Sequence, residues 1–292
     1  MIFFSNLIDR ASLLVMSLFS GKLKKEMLAE QHRINKAAWR EYLKKLKETG
    51  GFIENQREMT DFRYGTNKGR IGRKLFNGKE MTGADNTCEV IAVYNAIHFL
   101  SKGSNMDTVG FPELLRSFSE KGIAFRGMFG TSPGALIKYL KSKGYKVEKL
   151  KASKINEENC AALERKYKTF IFSSFNQGQN PFSMIHTMCI TKEEPGADGG
   201  SEPVQNIPDE SIAVKKITDD KISYNKISYN NISAMSDNNI TDNNMNGIFK
   251  VHNDYEGNKT YSSLYAAVSG YNGGKGHPVI IIAAEKRTQK PD

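Results

Sequence analysis

Cysteine is scarce in this chain. Its 292 residues include three, Cys88, Cys160 and Cys189, far apart and odd in number. That excludes a disulfide framework, and no pair has the short spacing of a zinc site. Three unpaired thiols suit a reducing compartment, so a cytoplasmic protein is expected. Long apolar runs are missing too. Met1 to Phe19 is apolar, but Asp9 and Arg10 interrupt it and no basic stretch precedes it. It is not a signal peptide, nor a spanning run of about 18 uncharged residues. It reads as a helix packed on the domain or lying at an interface. Acidic residues are short in supply, 32 against 42 basic, giving a formal net charge of +10 with the excess before residue 80. A basic front end can meet an anionic surface, nucleic acid or an acidic partner, or be a solvated face. No polar cluster has metal-ligand spacing, and Gly65, Gly69 and Gly72 match no phosphate-binding fingerprint, so no metal and no cofactor is expected.

What is present begins with a helical composition over 22–49, rich in Lys, Glu, Leu and Ala and stopped by Gly50-Gly51. Leu28, His32, Asn35, Trp39, Tyr42, Leu43 and Leu46 give it an imperfect apolar stripe. Membrane-surface contact through residues 1–49 stays open. Residues 52–79 interleave Arg57, Arg63, Arg70 and Arg73 with Phe62, Tyr64 and Phe76, a pattern that can hold single-stranded nucleic acid. From Cys88 the apolar pattern predicts a helix to about Ser101. Pro112 and Gly122 bracket another over 111–121, and Pro133 and Gly144 a third. A strand over 145–150 and a short helix over 156–167 follow. Strands are expected over 169–175, 183–191, 247–254 and 278–284, with a short helix over 262–268. Helices first and strands second make an α+β order. Residues 192–246 change character, with Asn, Asp and a tandem Lys-Ile-Ser-Tyr-Asn, and read as a flexible insertion.

The chemistry centres on Asn86-Thr87-Cys88-Glu89. A thiol at the first turn of a helix feels free amides and the positive end of the dipole, which should lower its pKa. The alternative is a small buried hydrophobe. A cysteine nucleophile needs a base and a group that fixes the base. Of five histidines, His98 lies almost three turns along the same helix, too far to touch Cys88. His186 sits in a strand whose alternation sets Met184, His186 and Met188 on one face, and Ile185, Thr187 and Cys189 on the other. It can pair with Cys88, or be a core histidine bonded to a backbone carbonyl. Asn253, at the end of the next strand, can accept from the second ring nitrogen, with Asp254 as the alternate; both also suit a plain turn. His252 is the poorer base because no third group follows it at a suitable strand position.

That order, a cysteine at a helix start, a histidine in a later strand and Asn or Asp after the next, resembles the papain-like cysteine peptidases. The closest flavour is the compact bacterial branch similar to bacteriocin-leader-processing peptidases. The residues concerned are Asn86-Thr87-Cys88, Ile185-His186-Thr187 and Val251-His252-Asn253-Asp254. The resemblance implies a papain-like α+β fold, with an N-terminal helical lobe and a C-terminal antiparallel sheet over 77–292. Residues 1–76 would be a basic helical extension or pro-segment-like region. It implies a Cys88–His186–Asn253 triad hydrolysing peptide or amide bonds of a peptide or protein substrate. Two positions depart from that family. Glu89 stands where it has glycine, and Thr82 where it has an oxyanion-binding glutamine. Asn86 and Thr82 are the candidates for that donor, beside the Cys88 backbone N–H. Two other readings are a non-catalytic papain-like binding domain and a basic nucleic-acid-binding protein.

Overall fold

The computed structural model describes residues 20–21, 25–66, 81–101, 110–124, 130–176, 185–193, 247–255, 257 and 259–287. The expectations for Met1 to Phe19, for Gly69, Arg70, Gly72, Arg73 and Phe76, and for 194–246 lie outside these residues. The helices are α1 (Lys25–Leu46), α2 (Gly83–Asn86), α3 (Cys88–Leu100), α4 (Phe111–Lys121), α5 (Pro133–Ser142), α6 (Glu157–Glu164) and α7 (Leu264–Ser269). Pro112 opens α4 and Gly122 caps it, as expected of a fixed φ at the start and a permissive residue at the end. Ser132 caps α5 by accepting from the Ala135 N–H.

Strands β1 (Ser20–Gly21) and β2 (Ile123–Ala124) pair with each other. The main sheet holds β3 (Tyr145–Lys151), β4 (Thr169–Phe175), β5 (Ile185–Glu193), β6 (Ile248–His252), β7 (Thr260–Tyr261) and β8 (His277–Lys286). Its order is β3-β8-β4-β5-β6-β7, with every pair antiparallel. The chain is thus a mixed α+β fold, helix-rich at its start with an antiparallel sheet built from its later part. Lys192 and Glu193, expected to begin the insertion, instead finish β5 and pair with Phe249 and Ile248.

Period-two alternation divides the sheet between two cores. On one face, Ile171, Cys189, Ile280 and Ile282 pack with Val90, Ile91, Val93 and Ile97 of α3. On the other, Phe170, Phe172, Met188, Ile190 and Phe249 pack with Cys160 and Leu163 of α6 and Val268 of α7. Helix α3 is enclosed along nearly its whole length, from Cys88 to His98. Such a helix is apolar all round, so its few polar residues need partners. Asn95 exchanges two 2.9 Å bonds with the Ile53 backbone, and His98 Nε2 lies 2.9 Å from Gly50 O. These polar side chains hold residues 50–53 alongside α3.

Trp39, Leu46, Ile53, Met59, Phe62 and Tyr64 belong to the same core as α3. The described part of the 1–76 region is therefore built into the domain rather than laid over it. Phe62 and Tyr64 are 2 % and 0 % exposed, so neither ring offers the stacking face that nucleic acid requires. Among the described residues no helix is long and apolar enough to cross a membrane.

Candidate functional site

Cys88 is the first residue of α3, after Thr87 at the N-cap. The short helix α2 leads into it. The Asp85 carboxylate accepts from the N–H and Oγ1 of Thr82, and the Asn86 side-chain amide donates to Tyr64 O at 2.6 Å. Both candidates for the oxyanion donor thus have bonds that build the turn before the cysteine.

Cys88 is buried, the residue 6 % exposed. Burial pushes its pKa well up, the neighbouring Glu89 carboxyl adds to this, and the Thr187 backbone N–H facing the sulfur offsets part. The expected lowering by the helix terminus is overturned. A helix end contributes about 0.3–1 kcal/mol, whereas full burial moves a thiol by up to about 3–5 pK units. Cys160 and Cys189 are also free and buried, with thiols raised by burial.

Glu89 is fully enclosed too. Burial raises its carboxyl to about 7 against an ordinary 4.5, while the Cys88 side chain and the Thr131 backbone N–H favour the charged form. One carboxyl oxygen, Oε2, has no hydrogen-bond partner among the described residues. Gly130 makes room for it. That residue has φ +64°, and a Cβ there would overlap Glu89 Oε2. Thr131 is held in turn by Tyr64, Oη to Oγ1 2.5 Å.

His186 lies next to Thr187 near the start of β5, where β6 has already ended, since the β5–β6 pairing begins at Cys189 and His252. Its Nε2 donates to the backbone carbonyl of Asn253 at 2.6 Å. A carbonyl only accepts, so the proton sits on Nε2. Nδ1 is buried with no hydrogen-bond partner among the described residues. Burial lowers the ring to about 4 from 6.5; the Asn253 bond opposes this and the Arg57 cation adds to it. At neutral pH the imidazole is therefore uncharged, with its lone pair on Nδ1. Tyr255 stacks on the ring at 4.1 Å between centroids, and the Arg57 guanidinium lies 4.9 Å over Tyr255. Tyr255 also feels the Cys88 and Glu89 side chains electrostatically. The cysteine and the histidine thus share two neighbours, Thr187 and Tyr255.

Asn253 joins them by a different atom from the one expected. Its main-chain oxygen orients His186, while its side-chain Oδ1 accepts from the Gln56 N–H at 2.8 Å. The residue adopts φ +65°, a conformation Asn tolerates better than most. Asp254 O accepts from the Gly257 N–H in the turn that follows, and Asn253 supplies the carbonyl for the ring. Sequence reasoning missed Glu54, Gln56, Thr131 and Tyr255. Gln56 bridges the cysteine and histidine segments, its amide donating to Ala84 O at 3.0 Å and its backbone to Asn253. No local motif marks it, because its partner Asn253 is 197 residues away.

Among the described residues no cluster of three or more His, Cys, Asp or Glu side chains is placed to hold a metal ion. No family model, no curated protein and no solved structure matches the chain.

Proposed function

We propose that this protein is a cysteine-dependent peptidase or related amide hydrolase of papain-like organisation. Cys88 is its nucleophile, His186 its base, and a peptide or protein its substrate. The observation that carries this is the buried Nδ1 of His186, unpartnered among the described residues, beside the strand residue whose N–H faces the Cys88 sulfur. Both groups rest neutral. The thiol proton passes to Nδ1 as sulfur attacks the substrate carbonyl carbon, and the imidazolium is steadied by its Nε2–H bond to Asn253 O. The Cys88 N–H, at the start of α3, suits the oxyanion, whereas the Glu89 N–H is taken up by the Cys88 sulfur and its own carboxyl. The imidazolium then protonates the leaving amine, and water, deprotonated by the same ring, releases the acyl group from sulfur.

A non-catalytic binding domain is the second reading, favoured by the 6 % exposure of Cys88 and its raised thiol. One experiment separates the two. The full chain is treated with a peptidyl chloromethyl ketone and mapped by mass spectrometry. A peptidase is captured at Cys88 far faster than at Cys160 or Cys189. Equal, slow labelling of all three favours the binding domain.

A further inference from the structure

Beyond the cysteine and the histidine, a second polar chain is buried against the site. His252 Nδ1 lies 2.9 Å from Glu54 Oε1, and His252 Nε2 lies 2.9 Å from Thr191 Oγ1. Phe52 stacks on the imidazole at 4.0 Å and 9°. The order Thr–His–Glu has the form of a hydrolytic triad. However, Thr191 and His252 are both 0 % exposed, and the Phe52 ring covers one face of the imidazole. A nucleophile that no substrate reaches does no chemistry, so the output of this chain lies elsewhere.

That output is the Asn253 backbone. The second Glu54 oxygen, Oε2, accepts from the Asn253 N–H at 3.3 Å. The carbonyl of the same residue accepts from His186 Nε2 at 2.6 Å. Asn253 therefore stands between Glu54 and the ring, in a positive-φ conformation that Asn tolerates and that the surrounding bonds fix. Glu54 ties down both its N–H and the side chain of the residue before it. Gln56 N–H, two residues further along the same segment, ties down its side-chain oxygen.

We propose that Glu54 is the positioning residue for His186, acting through the Asn253 backbone, and that residues 52–56 complete the site from the N-terminal part of the chain. The proposal rests on the Cys88–His186 pairing above for its catalytic meaning, but the orientation of the ring can be read without it. A carboxylate suits the role because it offers two acceptors to two donors. An amide at position 54 keeps one acceptor and turns a second donor against the Asn253 N–H.

The test compares the full-length wild type, Glu54→Gln and Leu140→Ala. Leu140 is a buried residue of α5 in the core that includes α3 and serves as a control for lost stability. The readout is the ring N–H resonance of His186, assigned by its absence in His186→Ala, together with the rate of Cys88 capture. Glu54→Gln should lose the protected Nε2–H resonance and capture Cys88 roughly tenfold to a hundredfold more slowly, as expected for a displaced catalytic group. Leu140→Ala should melt earlier and keep the resonance. If Glu54→Gln does not fold, Glu54→Asp, one methylene too short to reach both donors, should show the same loss. Retention of the resonance in the Glu54 variant overturns the proposal, and so does its loss in Leu140→Ala as well. Should His186→Ala leave capture unchanged, the pairing fails, while the resonance still decides the role of Glu54.

Discussion

Cys88→Ala should abolish hydrolysis of a peptide mixture, by about 10³-fold or more, while the protein remains folded. Neither the water nor the imidazole can replace sulfur in the first step, because the acyl group must be held on the protein before water releases it. The fold should tolerate the change. Cys88 heads its helix, and the removed atom is a single sulfur. Its loss leaves the buried Glu89 carboxyl without the Cys88 side chain that favours its charged form, so a modest loss of stability at neutral pH is expected rather than unfolding. New N-termini counted by mass spectrometry, with circular dichroism as the check on folding, measure this. Cleavage at the wild-type rate by the alanine variant would assign the activity to another group.

The second large effect concerns acidity. Glu89 and His186 are both fully buried and act on stability in opposite directions. The Glu89 carboxyl is raised from 4.5 to about 7. The folded state thus holds its proton more tightly than the unfolded chain, and stability falls as pH rises from about 4.5 to about 7, by on the order of 3 kcal/mol. His186 is lowered from 6.5 to about 4. There the unfolded chain holds the proton more tightly, so stability falls as pH drops from about 6.5 to about 4, by a similar amount. In the wild type the two slopes oppose each other across nearly the same window. Glu89→Gln should remove one of them. The variant should be more stable than the wild type at pH 8, by up to about 3 kcal/mol, and should lose stability on acidification more steeply. Urea unfolding at a series of pH values gives both quantities. Parallel curves for the two proteins would mean that Glu89 ionises freely and that its enclosure by Gly130 and Thr131 is not maintained in solution.

Much of the fold was legible because its signals are local. Pro112 and Gly122 mark the ends of one helix, and the β-branched and aromatic alternation of 169–175 marks a strand; the structure places both at the expected residues. The site was legible only in part. The helix start at Cys88 and the strand at His186 follow from periodicity, but whether sulfur would be buried or exposed does not. Burial outweighed the helix terminus and reversed the expected direction of the thiol pKa. Asn253 is expected, from its place at a strand end, to turn its side chain to His186, yet a sequence names only side chains. It does not say that the main-chain oxygen is the atom used. His252 was set aside for want of a third group, and Glu54 supplies one from 198 residues away. The segment around Glu54 and Gln56 has no pattern of its own; its polar residues make sense only against Asn95, Ala84 and Asn253.

The pairing of the thiol with the imidazole is tested most directly by the rate at which a peptidyl chloromethyl ketone captures Cys88 at pH 7 in the wild type and in His186→Ala. With Nδ1 as the proton acceptor, the variant should react about a hundredfold more slowly or worse, with the fold intact. Equal rates in the two proteins would contradict the account, because the sulfur would then reach its reactive form without help from that ring.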